Sequence, residues 1–176
     1  MVSPLVEAIG KHVKSANHLF ADDTTAPTLK PGKGRTQTGR YWTYVRDGRD
    51  WNEQAPPAVW LQYSEDRKSI HPSTHLKGYK GSMQTDAYAG YNALYQKNVT
   101  FIACWAHVRR KFYDITQSGP APVADQAIAT IQKLYAIEKD IKNKPPDERQ
   151  RIRQQQAIPI LDEFYTWLQA TLRTLS

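Results

Sequence analysis

The apolar and polar positions divide the chain into a first stretch of short alternations and a second of helical period. Leu5, Ile9 and Val13 recur every four residues between positions 3 and 15. That spacing predicts an amphipathic helix, with Ser3 as its cap and Pro4 in its first turn. Residues 18–29, then Tyr41–Val45 and Ala58–Tyr63, are rich in aromatic and β-branched side chains and predict strands. They are joined by the glycine-rich stretch 31–39 and by the Asp47-Gly48 turn with the polar, proline-containing residues 50–57. Positions 19–63 therefore read as an antiparallel meander of three strands. A short helical segment follows within 69–80. Its His71 and His75 are separated by Pro72, which argues against a regular helix running across both.

Residues 81–85 predict a short buried strand that ends at Asp86, and Tyr91–Tyr95 a short helix after Gly90. Val99–Ala103 is apolar and β-branched, which predicts another buried strand. It leads directly into a helical stretch from Cys104 to Tyr113. Beyond a linker at 118–122, Ala127, Ile131 and Leu134 carry helical spacing as far as Ile141. Lys144-Pro145-Pro146-Asp147 breaks that helix and opens a second one to position 175, with a kink expected at Pro159. The division this predicts is a sheet-forming part, residues 1–118, and a helical hairpin, residues 119–176.

The element order in the first part is three antiparallel strands, a short helix, a strand, a short helix, a strand and a helix. That order describes an α/β fold with a mixed sheet of the ribonuclease H type, incomplete here and followed by the helical hairpin as an insertion. In such a sheet the first and fourth strands lie side by side. An acid in the first (Asp22 or Asp23) then meets Asp86 at the end of the fourth. A strand-end aspartate also serves as a turn former or helix cap, and adjacent acids in a strand also suit a solvated edge. Convergent carboxylates, by contrast, bind hard cations such as Mg²⁺ or Mn²⁺ through oxygen. Two such ions about 3.5–4 Å apart assist phosphodiester chemistry at both the attacking and the leaving oxygen. A third acid normally completes the cage.

Charge narrows the partner. The 176 residues carry a net charge of +7. Residues 1–118 hold 16 Lys and Arg against 10 Asp and Glu, and the remainder 8 against 7, so the excess lies in the first part. A basic balance favours a polyanionic partner, although many basic proteins bind none. Lys33, Arg35 and Arg40, in and just after the glycine-rich loop, are candidate phosphate contacts, as are Arg109, Arg110 and Lys111 in one helical turn, where a solvated face is the alternative. The loop lacks the spacing of a phosphate-cradling nucleotide motif. Cys104 is the single cysteine, which excludes an intramolecular disulfide and a thiolate-rich zinc site. Cys104 and His107 have ligand-like spacing but read as a buried thiol and a packed histidine. Without a leader-like N-terminus or a long apolar run, the expected location is cytoplasmic, with no membrane partner.

Several stretches together resemble the insertion-sequence-66 family of bacterial transposases. They are Ala-Asp-Asp-Thr at 21–24, the run from Pro31 to Trp42, Tyr-Ser-Glu-Asp-Arg at 63–67, Gln-Thr-Asp-Ala-Tyr-Ala-Gly-Tyr-Asn-Ala-Leu-Tyr at 84–95, and Ala-Cys-Trp-Ala-His-Val-Arg-Arg-Lys-Phe at 103–112. The resemblance implies a DNA transposase on a ribonuclease H-like fold, with two aspartates and a glutamate holding Mg²⁺ or Mn²⁺ for strand cleavage and transfer. Its first aspartate falls on Asp22, with Asp23 beside it, and its second on Asp86. The partner implied is DNA at transposon ends, with a full-length transposase or a second copy as a possible protein partner. The family's glutamate lies in an Asp-Asn-Asn and Glu-Arg context that does not occur here. Neither Glu138 nor Glu163 matches it. The resemblance therefore implies that residues 1–176 are inactive alone. The alternative is a non-catalytic remnant that binds DNA or modulates a transposase.

Overall fold

The computed structural model describes residues 3–30, 32, 34–96 and 99–175. Two compact units divide the chain between Cys104 and Trp105. The helix after the last strand thus belongs with the helical unit, and the division falls upstream of the 118–122 linker.

The first unit opens with helix α1, Ser3–Lys14. Ser3 lies inside it and donates through Oγ to Glu7 Oε1 at 3.1 Å, so it does not cap the helix. Val13 is fully buried and Ile9 packs against the core, whereas Leu5 is exposed. The apolar stripe thus works only in its C-terminal half. Strands β1 (His18–Leu29) and β2 (Thr36–Arg46) form a long antiparallel hairpin, and β3 (Ala58–Ser64) pairs antiparallel with β2. Strand β4 (Gly81–Thr85) runs parallel to β1, and β5 (Val99–Ala103) runs parallel to β4. The five-stranded mixed sheet has the order β3-β2-β1-β4-β5. The expected adjacency of the first and fourth strands is present.

One face of the sheet carries the core. Leu19 and Ala21 of β1, Trp42 and Tyr44 of β2, and Met83 of β4 pack with Val13, Leu76 and Tyr91. Trp42 Nε1 donates to Ser64 Oγ at 2.7 Å, which satisfies the buried indole. The buried Arg46 donates to the His12 carbonyl and to Ser15 Oγ, both at 2.9 Å, and pairs with Glu53. A cation at the C-terminal end of α1 is also where the helix dipole favours it.

Two strand and helix expectations are corrected. Helix α2, Ile70–His75, does run across both histidines. Pro72 is its third residue, where a backbone N–H has no acceptor within the helix, so the missing donor costs nothing. Strand β5 is not buried. Val99 alone is, because β5 is the sheet edge and has β4 as its neighbour on one side.

The second unit consists of α4 (Trp105–Thr116), α5 (Pro122–Ile141), α6 (Pro146–Ile152) and α7 (Ile158–Leu175); α3 (Asn92–Tyr95) is the short helix of the first unit. Ala127, Ile131 and Phe164 form its core with Trp105, Val108, Phe112, Trp167 and Leu168. A π-helical turn, Arg153–Ala157, joins α6 to α7 just before Pro159. Proline there lacks an N–H and crowds the preceding turn, and the wider turn absorbs both effects. The break expected at Pro159 takes this form.

Candidate metal centre

Asp22 and Asp86 come together because of strand register. β1 and β4 are paired through Phe20 and Gln84, the last parallel partners. Two residues further along each strand stand Asp22 and Asp86, where β4 leaves the sheet. Asp22, Asp23 and Asp86 each offer a carboxylate oxygen, and these oxygens lie within 4.8 Å of one another. Asp22 is exposed and Asp86 half-buried, while Asp23 is exposed only through its backbone.

The three acids have different surroundings. Strand alternation puts Asp23 on the core face with Leu19 and Ala21, and its side chain is inaccessible to water (0%). Both its oxygens are occupied. Arg40 Nη1 donates to Oδ2 at 2.9 Å. Arg67 donates bidentately, Nη2 to Oδ1 at 2.8 Å and Nε to Oδ2 at 3.1 Å. Arg67 Nη2 also reaches Asp86 Oδ2 at 3.2 Å. The Tyr88 N–H donates to Asp86 Oδ1 at 3.1 Å, an Asx-type turn at the strand end. The Asp23 N–H donates to Asp22 Oδ1 at 2.8 Å.

Arg67 is held as firmly as it holds. Its guanidinium lies 4.0 Å from the Tyr88 ring centre, and the Tyr88 hydroxyl donates to the Arg67 carbonyl. Burial pulls its pKa down, but the hydrogen bond and charge of Asp23 outweigh that and raise it, with Asp86 and Tyr88 adding to the effect. The loop that carries it is fastened in turn. Ser64 Oγ donates to the Asp66 carbonyl at 2.6 Å, and Asp66 pairs with Lys68 and His71. Sequence reasoning did not assign roles here to Arg67, Tyr88 or Arg40. All three lie in the stretches that carry the family resemblance: Arg40 in 31–42, Arg67 in 63–67 and Tyr88 in 84–95.

Beneath the acids lies Tyr91, fully buried, with a hydroxyl that has no hydrogen-bond partner among the described residues. Burial raises its pKa first, and the charges of Tyr44, Asp23, Asp86 and Asp22 raise it further. It is therefore a neutral donor within electrostatic reach of the cluster. Buried hydroxyls ordinarily have a hydrogen-bond partner. Carboxylate oxygens are the donor set that suits Mg²⁺ or Mn²⁺. All three carboxylates come close enough to share an ion, while Asp23 also meets two guanidiniums and Asp86 one.

The Transposase IS66 family model matches residues 1–176. The chain belongs to this family. It is 35% identical to an uncharacterized protein, y4hP, of Sinorhizobium fredii, over 94% of this chain and 33% of the relative. It is 32% identical to a second, y4qI, of the same organism, over 92% of this chain and 31% of the relative. The chain thus spans about a third of the length of the curated relatives it matches.

In this IS66-family chain Arg35 lies apart from the acids. Arg35 stands beyond the last pair of the β1–β2 hairpin, Leu29 and Thr36. That pair is seven strand positions from Asp22, about 23 Å at the usual rise of about 3.3 Å per residue, and Arg35 is one residue further. It lines a shallow hollow with Lys30, Thr36 and Gln37. Lys33 lies outside the described residues. Arg109, Arg110 and Lys111 lie on α4 in the second unit. Glu138 is paired with Arg153 through two hydrogen bonds of 2.7 Å, which lower its pKa. Among the described residues no glutamate joins the aspartate cluster. No helix among them is long and apolar enough to cross a membrane.

Proposed function

We propose that this chain is part of a metal-dependent DNA transposase, built on a ribonuclease H-like sheet, in which Asp22 and Asp86 hold a divalent cation, Mg²⁺ or Mn²⁺. One observation carries the reading: two aspartates far apart in sequence converge at the point where parallel strands β1 and β4 diverge. The family membership supports it. A bound ion supplies Lewis-acid stabilisation of the charge that develops as a phosphodiester bond is cleaved. The chain's own residues do the rest. Asp23 anchors Arg40 and Arg67, and Arg67 fixes the orientation of Asp86.

DNA is the proposed substrate, at transposon ends, with Arg35, Arg109, Arg110 and Lys111 as phosphate contacts and Lys33 as a further candidate. The 176-residue chain alone is proposed to lack strand-transfer activity, because two ligands form an incomplete cage. Its pairing with a full-length transposase or a second copy, in the cytoplasm, belongs to the same reading.

The test is Mn²⁺ binding followed by electron paramagnetic resonance. We expect a site that is lost in both Asp22→Ala and Asp86→Ala and kept in Glu138→Ala. Binding that survives Asp22→Ala overturns the assignment. Robust Mn²⁺-dependent strand transfer by the isolated chain overturns the proposed inactivity.

The Arg67 bridge favours a second reading. A guanidinium already lies between Asp23 and Asp86, so the cluster is held together without an ion. In that reading the chain is a DNA-binding or transposase-modulating module. Absence of any Mn²⁺ site, with salt-sensitive DNA binding intact, selects it.

A further inference from the structure

The helical unit carries a second site of different character. Ala106, Arg109, Arg110 and Tyr113 occupy positions i, i+3, i+4 and i+7 of α4 and so share one face. Gln132 and Tyr135 stand three apart on α5. Together these six side chains line an open groove between the two helices, both within one compact unit.

The groove contains no carboxylate. Five arginines elsewhere, Arg40, Arg46, Arg49, Arg67 and Arg153, each meet an acid. Arg110 is exposed and forms no ion pair among the described residues. The guanidinium of Arg109 lies 5.8 Å from the Tyr113 ring centre, a cation–π contact that leaves its charge uncompensated. Uncompensated guanidiniums that gain no fold stability from a partner are suited to an external anion.

The aromatic content makes the anion more specific. Tyr113 is 46% and Tyr135 38% exposed. A phosphate needs no ring beside it, and a DNA duplex keeps its base faces stacked inside. A ring face next to unpaired guanidiniums suits a strand whose bases are unstacked, which stack on tyrosine while the backbone lies along the cations. We propose that the α4–α5 groove binds single-stranded DNA. Arg109 and Arg110 take phosphates, Tyr113 and Tyr135 take bases, and the Gln132 amide is available to a base edge. The choice of nucleic acid rests on the transposase reading; the choice of an unpaired strand rests on the groove.

The experiment is fluorescence anisotropy on the whole chain. The probes are a labelled oligothymidine of about 16 nucleotides, the upper end of single-strand site sizes, and a duplex of equal length. We expect the single strand to bind at least about tenfold tighter. Tyr135→Ser or Tyr113→Ser should weaken it by about 5- to 150-fold, while Tyr135→Phe should retain it. Arg109→Gln with Arg110→Gln should lower the slope of log affinity against log salt by about 1.4, two contacts at about 0.7 each. Loss of affinity without that change in slope marks a structural defect and overturns the phosphate assignment.

Duplex binding equal to or tighter than single-strand binding, or tyrosine variants that bind as the parent does, overturns the proposal, as does no binding by the parent chain. Asp22→Ala is measured in parallel. If it loses Mn²⁺ but keeps the oligonucleotide, both readings stand. If the parent binds no Mn²⁺ but the groove variants behave as expected, the metal reading fails and the groove stands.

Discussion

At the scale of single residues, adjacent aspartates of the same type have acquired opposite roles. Asp22 and Asp23 differ only in which face of β1 they occupy. Asp23 is sealed beneath Arg40 and Arg67, and Asp22 stays exposed beside Asp86. Removing one partner of a buried pair is costly, about 3–5 kcal/mol in well-buried cases. Arg40 and Arg67 retain some water, with side-chain exposures of 22% and 37%. The expected loss for Asp23→Ala is therefore smaller, about 2–3 kcal/mol. Asp22→Ala should change stability by less than about 1 kcal/mol. Urea unfolding of the two variants checks this. Equal costs would show that the acids share one environment and would remove the reason for assigning the ligand role to Asp22.

At the scale of elements, the docking of α1 on the sheet depends on one missing side chain. Gly10 lies in the middle of the helix, where glycine costs about 1 kcal/mol relative to alanine. A Cβ at this position would lie 2.7 Å from Trp60 Cε2. The Trp60 ring has little freedom to yield, because it packs against Tyr44 and His75 and lies under Lys14 Nζ. Gly10→Ala should therefore destabilise the first unit by about 1–2 kcal/mol, overpacking outweighing the gain in propensity. A fall in the urea midpoint at unchanged slope is the expected result, and a rise would show that α1 sits less tightly on β3. The same contact explains why the apolar stripe of α1 is used only in part. The helix approaches the sheet at Gly10 and Val13, which leaves Leu5 outside.

At the scale of the whole molecule, the core should respond to pH through His75. Burial, and behind it the charges of His71 and Lys14, lower its pKa to about 4. Its Nδ1 shares a 3.0 Å hydrogen bond with the Tyr44 hydroxyl, and the Trp42 and Trp60 rings close around it. The unfolded chain takes up a proton near the ordinary value of about 6.5, whereas the folded core does not. Stability should fall as pH drops from about 6.5 towards 4, by about 3 kcal/mol at most. The slope between about pH 6.5 and 5, above most carboxylate titration, should flatten in His75→Gln. An unchanged slope would place the titration elsewhere. Local periodicity was enough to locate the strands, the paired helices and the break near Pro159, because alternation and helical spacing are written in neighbouring residues. Element order also determined that the first and fourth strands lie side by side, which brings an aspartate within the first, Asp22 or Asp23, to Asp86 at the end of the fourth. Tertiary structure alone decided that Asp23 belongs to Arg40 and Arg67, that β5 is an exposed edge, and that Arg109, Tyr113 and Tyr135 share one groove. Each of these depends on which side chains meet across elements distant in sequence, and local pattern carries no record of that.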